Sequence, residues 1–182
     1  MITSAFRILC ALSLFSFVAC SPSLTPFTER IHNEFDFSED DLQRIQFYLS
    51  DNIVLNRNLG GEESRITEGK IRVIDGREVE EIIFEKGTPG VLLFSPKRDR
   101  FAISFEAEGN DKYLMFGPND SAGGRYVLLA KEWRKNRGKV SYNGRTYNTN
   151  SRSAYASLMV DMDKYRKVKY QSTKAKGRKV KS

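Results

Sequence analysis

Two short dipeptides limit this fold more than any other feature. Asp75-Gly76 lies between Ile71-Arg72-Val73-Ile74 and Arg77-Glu78-Val79, and Asn143-Gly144 lies between Lys139-Val140-Ser141-Tyr142 and Arg145-Thr146-Tyr147. Asp-Gly and Asn-Gly supply the positive φ angles of a type I′ turn, whose twist matches that of paired strands, so each segment predicts a two-residue hairpin. Alternation in Arg100-Phe101-Ala102-Ile103-Ser104-Phe105-Glu106 puts Phe101, Ile103 and Phe105 on one face. A turn at Asn110-Asp111 then leads into Lys112-Tyr113-Leu114-Met115-Phe116, a third hairpin. Gly90-Val91-Leu92-Leu93-Phe94 and Tyr126-Val127-Leu128-Leu129 are apolar at consecutive positions, which predicts central strands covered on both sides.

The expected fold class is therefore mainly β, an antiparallel small barrel or sandwich with one or two short helices. One helix begins at Ser38: the serine caps it, Glu39, Asp40 and Asp41 occupy a first turn that favours acids, and Phe37 and Leu42 stand at staple positions. Lys131 to Lys135 reads as a helical turn, and Ser153 to Met162 fits either a strand or a helix. Gly69-Lys70-Ile71 with Asp75-Gly76-Arg77 and Gly138-Lys139-Val140 with Asn143-Gly144-Arg145 form an internal pseudo-repeat. Such a repeat implies a domain of two similar halves, but convergence on good hairpin chemistry explains the same residues more simply.

The first nineteen residues carry Arg7, then an apolar run from Ile8 to Val18 broken only by Ser13 and Ser16, then Ala19. The run falls short of the roughly 20 apolar residues of a membrane span and matches a secretory leader. Phe17-Val18-Ala19-Cys20 resembles the lipobox of bacterial lipoproteins. The resemblance covers the leader alone. It implies cleavage before Cys20 and attachment of diacylglycerol and a further acyl chain to that cysteine, and two chains suffice for stable anchoring. Ser21, where an Asp would mark inner-membrane retention, points within that resemblance to the outer membrane, and the lack of an acidic run after Cys20 favours its periplasmic face.

The expected organisation follows: a signal peptide over 1–19, the lipidated cysteine and a flexible Pro/Ser/Thr-rich tether over 20–34, one β-rich domain over 35–170, and a basic tail over 171–182. About 163 residues remain after cleavage, the size of one domain with one core. Residues 164–182 hold nine Lys or Arg and no acid, so the formal charge of +7 belongs to this end and the body from Cys20 to Asp163 carries about −3. Tyr165 to Tyr170 fits a last strand.

Groups for catalysis are scarce. Cys10 leaves with the leader and Cys20 is acylated, so the mature chain is expected to hold no disulfide and no nucleophilic thiol. His32 is the single histidine and falls in the tether, which gives no triad and no metal site, and no cofactor is implied. Asp36-Phe37-Ser38-Glu39-Asp40 opens like a calcium loop, yet Asp41 stands where the turn glycine belongs and Phe47 where the bidentate glutamate belongs. The pairs Glu62/Glu63, Glu80/Glu81 and Asp161/Asp163 are the carboxylates available for glycan hydrolysis, and Asp161 and Asp163 would share a strand face.

Two clusters suit binding. Trp133, Arg134, Lys135 and Arg137, with Tyr142 and Tyr147 nearby, combine cations with aromatic rings, although a lone Trp is more often a core residue. Lys174, Lys176, Arg178 and Lys179 lie in the tail. The expectation is a lipid-anchored, non-enzymatic accessory lipoprotein, a binding or assembly subunit of a cell-envelope protein complex with no small-molecule substrate identified. Its rivals are binding of an anionic polymer (lipopolysaccharide, peptidoglycan or nucleic acid) through the tail and the Trp133 cluster, and, third, a glycan-acting enzyme.

Overall fold

Strands whose inward positions are apolar pair into two antiparallel sheets that enclose one hydrophobic core, seen in a computed structural model that describes residues 23–59, 70–74, 77–109, 111–134, 137–164 and 166. The first sheet has seven strands in the order β1 (Leu24–Pro26), β13 (Leu158–Asp161), β2 (Phe47–Leu49), β6 (Pro89–Lys97), β7 (Arg100–Ser104), β8 (Leu114–Asn119) and β9 (Arg125–Leu128). The second has six, in the order β10 (Glu132–Arg134), β11 (Arg137–Tyr142), β12 (Arg145–Asn150), β3 (Ile53–Asn58), β5 (Arg77–Phe84) and β4 (Lys70–Ile74). Isolated bridges Thr28–Arg125 and Val127–Ser157 tie β9 back toward the first strands of its own sheet. The arrangement is sandwich-like and does not close into a barrel.

The hairpins stand where turn chemistry puts them. In β11–β12 the pair Tyr142–Arg145 leaves Asn143 and Gly144 as the loop, at φ 48° and 67°, both left-handed as a type I′ turn requires. In β4–β5 the pair Ile74–Arg77 leaves a two-residue connection whose turn lies outside the described residues. β5 and β12 flank β3, so the two similar hairpins sit on either side of one strand within a single sheet rather than generating two halves of the domain. β7 pairs with β8 as the third hairpin, but β7 ends at Ser104 and the connection spans 105–113.

The tether expectation is corrected. Leu24 to Pro26 pair with β13, Phe27 is fully buried, and α1 (Glu29–Phe35) packs Ile31 and His32 inward, so residues from Leu24 onward belong to the folded domain, which does not start at residue 35. Pro26 is compatible because β1 is an edge strand, and Thr28 caps α1 by accepting the Ile31 N–H at 3.3 Å. α2 (Glu39–Gln43) starts at Ser38 as read, with a reciprocal capping box to Asp41, and both staple residues, Phe37 and Leu42, are buried.

Four further readings change. Lys131 to Lys135 does not form a helical turn, since Glu132 to Arg134 are β10. β6 is not covered on both faces: Leu92 is buried, while Val91 is 42% and Phe94 37% exposed. β7 is the reverse, with Ala102 and Ser104 buried along with Phe101 and Ile103, so alternation understated its burial. Ser153 to Met162 resolves into a 3-10 turn at Ser153–Tyr155 and the strand β13, the last described strand. The proposed strand over 165–170 falls almost wholly outside the described residues.

The core centres on ring contacts. Phe27, Phe47, Phe101 and Tyr126 are fully buried, with ring centroids 5.0 Å apart for Phe27–Tyr126 and 4.6 Å for Phe101–Tyr126. Burying each such side chain contributes about 1.5–3 kcal/mol. Enclosing an aromatic centre of this size is what the unbroken apolar run at Tyr126–Leu128 accomplishes, because its residues are buried on both faces.

Candidate binding cleft

Strand register brings together, on the inward face of the second sheet, residues far apart in sequence. Arg57 on β3 stands directly opposite Glu80 on β5, and β12 lies on the other side of β3, with Thr149 opposite Leu55. Continuing that register by two residues sets Tyr147 beside Arg57 on the same face. Farther along, the row is apolar, with Ile53 opposite Phe84 and Leu55 opposite Ile82. The inner surface thus passes from hydrocarbon to a charged cluster within one strand.

Glu80 is 1% exposed, and its Oε2 accepts from Arg57 Nε at 3.1 Å and from the Tyr147 hydroxyl at 3.1 Å, with Arg57 Nη2 also at 3.1 Å. Its Oε1 faces the half-exposed Arg145, whose Nη1 is 3.9 Å away. The Arg57 guanidinium also lies over the Tyr147 ring, 5.9 Å from its centroid. Burial first, and then the Glu80 charge and hydrogen bond, push the Tyr147 hydroxyl pKa above its ordinary 10.0, so Tyr147 remains a proton donor. A buried charge of this kind is tolerated only when it is paired and hydrogen-bonded.

The cluster opens on a cleft of about 670 Å³ whose polar lining includes Glu80, Glu106, Lys112, Tyr142, Arg145 and Tyr147. Its opposite wall is the β7–β8 connection. That connection is held to the β11–β12 turn by the Asn143 N–H donating to the Asp111 carbonyl at 3.1 Å and by the Tyr142 hydroxyl donating to Glu106, which also pairs with Lys112 at 3.1 Å. The apolar lining is Ile82 and Ile83, and Ile83 is 46% exposed. Among the described residues the lining holds the carboxylates of Glu80, Glu81, Glu85 and Glu106 and the cations Lys112 and Arg145, with Arg57 behind Glu80. A cleft of this volume, partly apolar and with a few fixed polar groups, has the features of a ligand site.

The residues read from sequence are distributed differently. Trp133, on the three-residue edge strand β10, is 42% exposed and covers Gly138, where a Cβ would meet its ring at 2.8 Å; it is a rim residue and not a core one. Arg134 and Arg137 are exposed, and Glu132 pairs with Arg134 at 3.9 Å and with Lys139 at 3.4 Å. Tyr142 and Tyr147 are buried in the cleft wall, so they offer no stacking face to the Trp133 cluster. Asp161 ends β13, but Asp163 has left the strand and its N–H donates to Asp161 Oδ1 at 3.0 Å, so the two do not share a strand face. Glu80 and Glu81 both line the cleft, although as successive strand residues their side chains leave opposite faces of β5. Cys20, Glu62, Glu63, Lys135, Lys174, Lys176, Arg178 and Lys179 lie outside the described residues.

His32 is corrected from a tether residue to a buried one, its Nδ1 2.8 Å from the Tyr126 hydroxyl among Phe27 and Phe101. Sequence reasoning also missed Arg57 and the burial of Glu80. A signal was present: at period two, Arg57 shares a face with Ile53 and Leu55, and Glu80 shares one with Ile82 and Phe84. Among the described residues no group of three or more His, Cys, Asp or Glu is placed to hold a metal, and no helix is long and apolar enough to cross a membrane. No protein-family model, curated protein or solved structure matches this chain.

Proposed function

We propose that the protein is a lipid-anchored accessory subunit of a cell-envelope complex, held at the periplasmic face of the outer membrane by acylated Cys20, and that the cleft at Glu80 receives its protein partner. The anchor rests on the likeness of Phe17-Val18-Ala19-Cys20 to a lipobox. The observation that supports the binding role is the cleft, where a deeply buried carboxylate oxygen meets a half-exposed arginine at 3.9 Å beside an exposed isoleucine. Arg145 has solvent on one side and can swing away, leaving Glu80 Oε1 to a Lys or Arg of the incoming segment. Ile83 supplies an apolar contact, and the Glu80 carboxylate, once Arg145 turns aside, favours a cationic partner group over an anionic one. The cleft therefore supports a protein partner better than it supports an anionic polymer.

The test is cross-linking and affinity capture from native membranes, comparing wild type with Ile83→Asp, a substitution at an exposed position. The proposal expects one envelope protein in the wild-type capture and at least a tenfold loss of it in the variant. Equal capture by both proteins, or capture of no envelope protein by wild type, contradicts the proposal.

A further inference from the structure

An edge strand leaves backbone N–H and C=O groups open to another strand, and four strands end the two sheets: β1, β9, β10 and β4. Three of them do not invite a second copy of the chain. Pro26 in β1 offers no N–H, and β9 is already bridged to Thr28 and Ser157. β4 holds Lys70 and Arg72 and no acid, so no antiparallel register of β4 against itself matches opposite charges. β10 differs. Laid antiparallel against itself about Trp133, Glu132-Trp133-Arg134 sets the Glu132 of each copy opposite the Arg134 of the other, and Trp133 opposite Trp133. We propose that β10 is a self-association edge, through which two copies of this chain pair strand to strand about a two-fold axis at Trp133. Such an axis brings one patch of surface onto itself, which is what a self-complementary strand requires.

The ladder determines which backbone groups are open. Arg134–Arg137 is the pair that closes the β10–β11 hairpin and exchanges hydrogen bonds, which makes Trp133–Gly138 the non-hydrogen-bonded pair beside it. The Trp133 N–H and C=O therefore point away from β11, toward the side on which no described strand lies. Across the two-fold axis each Trp133 N–H donates to the Trp133 carbonyl of the other copy. Glu132 and the partner's Arg134 then form the next, non-hydrogen-bonded pair, in which Cα atoms approach to about 4.5 Å and side chains lie closest.

The side chains suit this pairing. Within one chain Arg134 reaches Glu132 only at 3.9 Å and remains 86% exposed, so its guanidinium is available to the partner's Glu132. The Trp133 ring lies against Gly138 on one side, and its exposed remainder faces solvent on the same face of the sheet that the partner's Trp133 would occupy. Tryptophan pairs an apolar body with a polar edge, which makes it an effective residue at an interface. Three residues per strand form a small contact, so the dimer is transient and concentration-dependent. None of the three lines the cleft at Glu80, and none depends on the lipid anchor.

The experiment uses the chain from position 20 to its end, carrying Cys20→Ala so that no disulfide links two copies. Trp133 is the single tryptophan of the sequence, so its fluorescence reports on this edge alone. Sedimentation up to about 1 mM protein, a concentration suited to a small transient interface, should show monomer passing to dimer with a parallel blue shift of the emission. Glu132→Arg and Arg134→Glu, each alone, set like charges opposite one another and should weaken dimerisation at least tenfold. An equimolar mixture of the two variants, both folded by circular dichroism, should restore it, because opposite charges again meet at both positions. A monomer at every concentration, emission that does not change on dimerisation, undiminished dimers of either single variant, or a mixture that stays monomeric would each overturn the inference.

Discussion

Two buried polar constellations occupy this sandwich, and their surroundings assign them different work. His32 and Tyr126, 2.8 Å apart, lie within the rings of Phe27 and Phe101, with no formal charge between them. Glu80, Arg57 and Tyr147 are comparably connected, yet they are ionic and border the cleft. A neutral pair enclosed by rings satisfies hydrogen bonds and fixes α1 against the first sheet. A charged group whose second oxygen faces, among the described residues, a half-exposed arginine 3.9 Å away can exchange one partner for another. Burial alone does not mark a site; burial at a boundary with an incompletely engaged charge does.

The largest expected effect comes from breaking the ionic constellation. Glu80→Ala removes the ion pair and hydrogen bond that a buried carboxylate makes to Arg57 and Tyr147, and a loss of about 4 kcal/mol is expected in urea unfolding. The double variant Arg57→Met, Glu80→Leu should regain most of that loss, because matched apolar side chains remove the desolvation cost on both sides. A double variant as unstable as the single one would show that the pair does more than neutralise itself. A smaller effect is expected in the other constellation: Tyr126→Phe leaves His32 Nδ1 without its partner, at a cost of about 2 kcal/mol, with no change in partner capture. Reduced capture by a folded Tyr126→Phe protein would erase the distinction between the two regions.

The mildest probe is pH. Burial, reinforced by the Arg98 charge and only partly opposed by Asp36 and Asp99, holds the His32 pKa below its ordinary 6.5. On acidification the unfolded chain takes up this proton near pH 6.5 while the folded protein does so only at lower pH. The stability contributed by neutral His32 is therefore full above 6.5 and is lost as pH falls from there through the folded pKa. Urea midpoints between pH 8 and pH 5 should decline less steeply for His32→Gln than for wild type. Equal slopes would mean that the histidine titrates alike in the folded and unfolded chains.

The legible part of the fold was the part fixed by short-range chemistry. Asn143-Gly144 specifies its own turn, Ser38 and Asp41 specify their own cap, and neither depends on distant partners. The Leu24–Phe35 region was misread because Pro22, Pro26 and the small polar residues around them suit a tether as well as an edge strand, and only the pairing with β13 decides between them. The cleft was less legible still. Arg57, Glu80, Tyr147 and Glu106 come from three strands and a connection, and nothing local to any one of them gives the register that gathers them. Trp133 attracted attention for its composition, whereas Glu132 beside it neutralises part of that charge and its ring covers Gly138.

The central proposal is that Cys20 carries lipid and anchors the domain to a membrane. Intact-mass measurement of the protein extracted from native membranes, in wild type and Cys20→Ala, tests it most directly. The account predicts a wild-type chain beginning at Cys20 with the added mass of two or three acyl chains, and no such addition in the variant. A membrane-extracted wild-type chain that begins elsewhere, or that begins at Cys20 without lipid, would contradict it.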